Sequence, residues 1–309
     1  MKSILVLGPN PAWQKTLFFP EFRYGHVNRA AEMMVFPSGK GINFSRAARC
    51  WGTTQTLLFQ FAGGEIGGRL RRELDREGLK YLHIETEAET RTCTTCLCRK
   101  SGTMTEIIDP TPPLPRENVE QMLDAIRRNI ASCSAVSITG TVPGGMKTDL
   151  YRQTAALACE NGLPVLVDSW QNIDEVLALG GEMILKVNLD ELAKITGVRE
   201  PRRAIEIVFE RYPVCAVAIT DGPETAYAAT REQAWSFQLP VLEDVVSPLG
   251  SGDTNAAVLF SEYLAGTSFE QAFAHALAAA SANCLTPLCG SFERSASESL
   301  YRRIIISQL

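Results

Sequence analysis

The sequence predicts an α/β fold in which a mostly parallel sheet carries helices on both faces. Three observations lead there. Short apolar or β-branched runs alternate with stretches of helical spacing along most of the 309 residues, the pattern of repeated strand–helix–strand units. The runs are apolar almost throughout, as strands covered on both sides are. Two segments, 12–36 and roughly 90–108, read as strands with no helix between them, which predicts a small antiparallel lid on the main sheet. Residues 1–309 are therefore read as one α/β domain with a lid. No long linker, internal repeat or low-complexity tract divides them, and the Pro-rich DPTPPLPRENVE (109–120) is short and ends in a helix start.

Taken in order, SILVLG (3–8) is the first buried strand. A single lysine before so short an apolar run, with no cleavage site, does not make a secretory signal. INFSRAARCWG (42–52) has helical spacing, QTLLFQFAG (55–63) reads as a strand, and IGGRLRRELDREG (66–78) as a helix. RENVEQMLDAIRRNI (116–130) and KTDLYRQTAALACENG (147–162) are helices on either side of the strand AVSITG (135–140). PVLVDS (164–169), EMILKVN (182–188) and VCAVAIT (214–220) complete the strands, and DTNAAVLFSEYLAG (253–266) is apolar at helical spacing.

Composition narrows the function. Hydrophobic residues make up 45% of the chain, enough for a large core. Lys and Arg number 30 against 35 Asp and Glu, a net charge of −5, so there is no basic footprint for nucleic acid. No apolar run is long enough to span a bilayer. A cytoplasmic protein without nucleic-acid or membrane partners is expected. Of the nine cysteines, Cys93, Cys96 and Cys98 cluster in RTCTTCLCRK, but a structural zinc site needs four ligands and none of the three histidines is near. Cys96 and Cys98 share a strand face that Cys93 does not. Ordinary buried thiols are expected.

Three small-residue motifs carry chemistry. In PLGSGDTNAA, Gly250, Ser251 and Gly252 lead into Asp253 at a helix start. Two glycines leave backbone amides open to a ligand, and a helix N-terminus attracts phosphate. Taken alone, Asp253 reads equally as a helix cap or as a base. In PSGKGINFSRAARCWG, Gly39, Lys40 and Gly41 again precede a helix. This is not a Walker A loop, because Gly41 follows the lysine where Ser or Thr is required, and no GxGxxG fingerprint occurs. In ILKVNLDELAKITG, a strand ends at Asn188 and a helix opens with Asp190 and Glu191. Acids in a first turn commonly serve the helix dipole. Asn and Glu at a strand's C-terminal end also suit a hard cation such as Mg²⁺.

SGKGIN, KVNLDEL and PLGSGD, in this order, together with FAGGEIGGRLRRELDREGLK and ITGTVPGG, resemble the PfkB carbohydrate kinases of the ribokinase-like superfamily over essentially the whole chain. NPA (10–12), GHVNRA (25–30) and TGTVPGG (139–145) are most similar to its 1-phosphofructokinase and tagatose-6-phosphate kinase branch. The resemblance implies a three-layer ribokinase-like fold and phosphoryl transfer from ATP to a hydroxyl of a sugar phosphate. Carried over, Asp253 would be the base and the amides of Gly250, Ser251 and Gly252 the anion hole. Asn188 and Glu191 would organise Mg²⁺ through water, with Lys186 near the nucleotide phosphates. Thr220, Gly222 and Asn283 would line the ATP site. Gln14, Arg29, Gly39, Lys40, Asn43, Arg91 and Thr141 would meet the sugar phosphate. A homodimer through the lid is expected, since exposed strand edges invite pairing.

Three positions depart from the family pattern. Gln14, in NPAWQK, stands where an aspartate is common. A carboxylate only accepts, whereas an amide both donates and accepts, so a different sugar stereochemistry or a weaker grip is expected. Pro248 replaces a usual threonine and removes a backbone donor; Thr225 replaces a glycine. Two other readings stay open: a kinase of an unphosphorylated sugar or nucleoside, and a sugar-phosphate or nucleotide-binding protein without catalysis.

Overall fold

The computed structural model describes residues 3–143 and 149–309. β1 (Ser3–Leu7) is followed by the hairpin β2 (Ala12–Phe19) and β3 (Glu32–Ser38). Then come α1 (Lys40–Trp51), β4 (Thr56–Gly63), α2 (Gly64–Glu77), β5 (Tyr81–Thr86), β6 (Thr92–Cys98) and β7 (Thr103–Ile108). The middle of the chain supplies α3 (Arg116–Asn129), β8 (Cys133–Thr139), α4 (Asp149–Glu160), β9 (Val165–Asp168), α5 (Asp174–Leu177), β10 (Met183–Asn188), α6 (Leu189–Thr196) and α7 (Pro201–Arg211). It closes with β11 (Ala216–Asp221), β12 (Thr225–Thr230), β13 (Ala234–Gln238), α8 (Ser251–Leu264), α9 (Phe269–Asn283), α10 (Arg294–Tyr301) and β14 (Ile305–Gln308).

The main sheet has ten strands in the order β14-β13-β12-β11-β10-β9-β8-β1-β4-β5. From β5 to β11 every pairing is parallel, and β11 to β14 pair antiparallel. Alternate residues of β1 serve opposite layers. Ile4 and Val6 pack with Phe44 of α1 and Ala257 and Phe260 of α8. Leu5 and Leu7 pack with Ile126 of α3 and Tyr151 of α4. Such two-sided burial is why the strands are apolar throughout. α8 is buried nearly all round, from Asp253 to Glu262, so it lacks the polar face of a surface helix.

The lid is a separate four-stranded sheet in the order β3-β2-β6-β7. Its outer pairings are antiparallel, but the central pair β2–β6 is parallel. The reason is connectivity: β3, α1, β4, α2 and β5 intervene between the two strands, long enough for a crossover. Cys93, Cys96 and Cys98 lie buried on β6 as free thiols. Lys147 and Thr148, expected at the start of α4, and Gly144 and Gly145 of the ITGTVPGG motif lie outside the described residues.

Candidate active site

One row across the main sheet supplies the charges. Thr139 of β8 pairs with Asp168 of β9, and the register of β9 with β10 brings Lys186 alongside. Thr139 and Asp168 end their strands and Lys186 lies two residues before the end of β10, all toward the carboxyl edge of the sheet, where ligands bind in open α/β folds. Asp168 is fully buried. Its Oδ1 meets Lys40 Nζ at 2.9 Å and Lys186 Nζ at 3.6 Å, and its Oδ2 accepts from Thr139 Oγ1 at 3.5 Å. Burial alone would raise the Asp168 carboxyl, but Lys186 and Lys40 outweigh it and hold it below the ordinary range. Lys40 is raised in return: burial opposes its charge, and Asp168, Asp253 and Glu191 prevail.

Asp253 occupies the first turn of α8 and is 8% exposed. Asn43 Nδ2 donates to its Oδ2 at 2.7 Å. Burial is the largest influence on this carboxyl and raises it; Lys40 opposes, Asp168 adds to the rise, and Asn43 and Lys186 pull down. The balance is a carboxyl pushed up to about 6, the range suited to a base near neutral pH. Asn43 is itself fixed, its Oδ1 accepting from Ser38 Oγ at 3.1 Å and from Arg46 Nη1 at 3.5 Å. Both ends of the expected sugar-binding amide are thus engaged within the chain.

The α8 N-terminus opens as expected but with a shifted donor set. The Ser251 amide turns back to the Pro248 carbonyl at 3.3 Å, so it is not free for an anion. Among the described residues the Gly250 and Gly252 amides find no backbone acceptor. A Cβ on Gly252 would lie 3.2 Å from Lys186 Nζ, which brings this lysine over the open turn. Asn283, expected at the ATP site, is turned into the protein. It is wholly buried, with Oδ1 accepting from the Gly290 amide (2.7 Å) and Thr254 Oγ1 (3.3 Å) and Nδ2 donating to the Leu249 carbonyl (3.0 Å). It braces the turn that carries Asp253.

Asn188 and Glu191 form a reciprocal cap on α6. Asn188 Oδ1 accepts from the Glu191 amide at 2.8 Å, and Glu191 Oε2 from the Asn188 amide at 2.9 Å. Glu191 Oε1 takes no hydrogen bond among the described residues, so a carboxylate oxygen near Lys40 remains for a water-coordinated Mg²⁺, and the donor chemistry fits. Thr220 pairs with Asn188 across β10 and β11, and Gly222 turns the chain just beyond with φ 66°. Thr225 begins β12 opposite Asp221, so the expected loop glycine is a strand residue here.

On the lid side, Gln14 is buried and its Nε2 donates to Thr95 Oγ1 at 2.8 Å. Arg91 Nη2 donates to the Asn10 carbonyl at 3.1 Å, while its Nε is enclosed and finds no partner among the described residues. Asn10 Nδ2 bridges Thr111 Oγ1 (3.1 Å) and Thr141 Oγ1 (3.3 Å). Gly39 precedes α1, pressed against Pro11: a Cβ there would stand 2.9 Å from Pro11 Cα, and its φ is 115°. Arg29 is not brought to this cluster. It is exposed in the 20–31 connection, at the far end of a hairpin whose other end pairs Ala12 with Ser38, about 25 Å along the strands.

Sequence reasoning missed Asp168, Arg46, Ser38, Asn10, Thr111 and Thr95. Asp168 had a usable signal, a carboxylate closing an otherwise apolar strand at the sheet's carboxyl edge. Arg46 had none: in SRAAR it looks like a surface residue, yet it is 1% exposed, with Nε and Nη2 on Glu77 (2.7 and 2.8 Å) and Nη1 on the Cys289 carbonyl (2.6 Å).

A family model described as pfkB family carbohydrate kinase matches residues 3–295. The chain is 25% identical to tagatose-6-phosphate kinase of Staphylococcus epidermidis, over 99% of this chain and 100% of that one. Among solved structures it is similar to Escherichia coli phosphofructokinase-2 in complex with fructose-6-phosphate. The TM-score is 0.85 at 22% identity, covering 98% of this chain and 99% of that one. The tetrameric inhibited form of the same enzyme matches with a TM-score of 0.85, 22% identity and the same coverage. At such identity the solved structures establish the shared fold.

Proposed function

The chain belongs to the pfkB family of carbohydrate kinases, and on that premise we propose that it transfers the γ-phosphoryl group of ATP to a hydroxyl of a sugar phosphate. One observation carries the reading. A buried carboxylate with a near-neutral pKa, Asp253, stands at an open helix N-terminus between Lys40 and Lys186. Phosphoryl transfer asks chiefly for positioning and for stabilisation of charge on the equatorial oxygens.

Asp253 takes the proton of the acceptor hydroxyl as its oxygen bonds to phosphorus and the bond to the ADP oxygen breaks. Asn43 orients the carboxylate. The Gly250 and Gly252 amides and the Lys186 ammonium face the transferring group, and fixed donors of this kind contribute about 3–4 kcal/mol each in enzyme sites. Asn188 and Glu191 would hold Mg²⁺ through water, where it would neutralise phosphate charge. Arg91, whose charged guanidinium lines a cavity beside Asn10 and Thr111, supports an acceptor that already carries phosphate, in line with the tagatose-6-phosphate kinase relative. Lys40 supports the other reading, a neutral sugar or nucleoside, because Asp168 already pairs with it.

ADP release with Mg-ATP decides between them, across fructose 1-phosphate, fructose 6-phosphate, tagatose 6-phosphate, fructose, ribose and a nucleoside. Turnover confined to a phosphorylated acceptor, and lost in Asp253→Asn, is expected. Faster turnover of a neutral acceptor would establish the second reading. Nucleotide binding without turnover of any acceptor would leave a binding protein.

The lid supports a homodimer. Met33, Val35 and Ile107 are exposed on the face opposite Gln14, and a second copy would cover them. Light scattering should give twice the 33.9 kDa chain mass.

A further inference from the structure

Gln14 faces the catalytic cluster. Ser38 Oγ donates to Asn43 Oδ1, so the Ser38 face of β3 looks toward Asn43 and Asp253. Ala12 pairs with Ser38 and Gln14 with Phe36; the pleat therefore sets Gln14 on that same face, about 7 Å along β2. The Gly39–Pro11 approach already described clamps this end of β2 against the α1 turn.

The amide is oriented by its surroundings. Nε2 donates to Thr95 Oγ1 at 2.8 Å and to the Lys15 carbonyl at 3.3 Å. A carbonyl only accepts, so a flipped amide would set Oε1 against the Lys15 oxygen; the network selects one orientation. Both donor hydrogens are thereby occupied. Oε1 takes no hydrogen bond from any described residue, so on a side chain 3% exposed it is the one polar atom of the amide left for a ligand.

We infer that Gln14 is a specificity-determining residue that meets the acceptor sugar as an uncharged group able only to accept a hydrogen bond, and that Thr95 is the positioning residue that makes it so. The inference rests on the proposed sugar-phosphate kinase activity. The donor half of the amide, available in principle, is closed to the substrate. A sugar hydroxyl must donate to Oε1, and an acceptor presenting only a lone pair there finds no partner. A neutral oxygen grips less strongly than a carboxylate, whose charge-assisted bonds are about twice as strong, but it adds no negative charge beside a phosphorylated substrate.

The test compares wild type with Thr95→Val and Thr95→Ser, after thermal melts show that all three fold. KM and kcat are measured for the acceptor that wild type turns over fastest, for its monodeoxy analogues, and for ATP. Thr95→Val releases one amide hydrogen and lets the group turn, so acceptor KM should rise about three- to tenfold, the effect of one hydrogen bond. The kcat and the ATP KM should stay within about twofold, and Thr95→Ser should restore wild-type values. One monodeoxy analogue, lacking the hydroxyl that Gln14 reads, should give equal KM in wild type and Thr95→Val. An unchanged acceptor KM, a Ser variant that behaves like Val, or a gap that persists with every analogue overturns the inference while leaving the kinase reading intact. A wild type that turns over no acceptor overturns the kinase reading. The same comparison then moves to acceptor binding by calorimetry, where an equal Kd in wild type and Thr95→Val, or no binding at all, overturns the inference too.

Discussion

The pH profile of activity tests the electrostatics of Asp253 directly. Its carboxyl is pushed up to about 6 by burial, against the pull of Lys40, Asn43 and Lys186. A base must be ionised, so kcat/KM for the acceptor should fall roughly tenfold per pH unit below about 6. At pH 7 about nine-tenths of the enzyme is competent, and at pH 5 about one-tenth. The informative perturbation is Asn43→Leu, which removes the 2.7 Å hydrogen bond to Oδ2 with little change in volume. A hydrogen bond to a charged group contributes about 1.5–3 kcal/mol, and 1.36 kcal/mol corresponds to one pKa unit. The acid limb should therefore move up by about one to two pH units, to a midpoint near 7–8. Activity at pH 7 should drop about two- to tenfold beyond any change in the plateau and recover by pH 9. The assay is coupled ADP release from pH 5 to 9 with saturating Mg-ATP. The midpoint of the limb is the quantity to read, since the plateau also carries any loss of acceptor binding. A flat wild-type profile from pH 5 to 7, or an unmoved limb in Asn43→Leu, would refute the reasoning.

Three further outcomes follow from the same geometry. A carboxyl whose pKa rises on folding from 3.8 to about 6 destabilises the native state once pH exceeds both values. Asp253→Asn should therefore gain up to about 3 kcal/mol at pH 8, with the gain gone near pH 4; urea denaturation at the two pH values reads this, and a loss at pH 8 contradicts it. Gly290 has φ 74°, and a Cβ there would lie 2.3 Å from the Asn43 carbonyl oxygen. Gly290→Ala should cost about 2–5 kcal/mol from backbone strain and crowding and lower kcat by displacing Asn43, which thermal melts and turnover report together. Arg46→Met leaves Glu77 and two carbonyls without their guanidinium, a loss of about 3–5 kcal/mol; adding Glu77→Leu should recover part of it, and an additive double variant would deny the coupling.

Much of the architecture was legible in the chain because periodicity is a local property. The six strands read from apolar runs all belong to the parallel sheet, whose two-sided burial makes such runs conspicuous. β5, β12, β13 and β14 were not read. YLHIET and TAYAAT mix polar and small residues, and β14 lies exposed at the sheet edge, so neither has the signature of a doubly covered strand. The lid strands were legible as strands, but nothing local in 12–19 and 92–98 says that they pair in parallel across five intervening elements.

The small-residue motifs likewise marked the turns that open α1 and α8, on which the proposed site is built, because glycine there is a local requirement. By itself the sequence determined the layered fold, the carboxylate at the start of α8, the lysine after Gly39 and the Asn–Glu pair capping α6. Tertiary structure alone decided which groups act on one another. Asp168 joins Lys40 to Lys186 because the β9–β10 register sets it beside Lys186 and the start of α1 brings Lys40 to it; Asn43 reaches Asp253 across a gap of 210 residues. Thr95 and Lys15 close the donor half of Gln14, and the far end of the β2–β3 hairpin holds Arg29 away. Charge, burial and hydrogen-bond direction are properties of neighbours in space, and those neighbours exist only once the sheet has brought distant strands side by side.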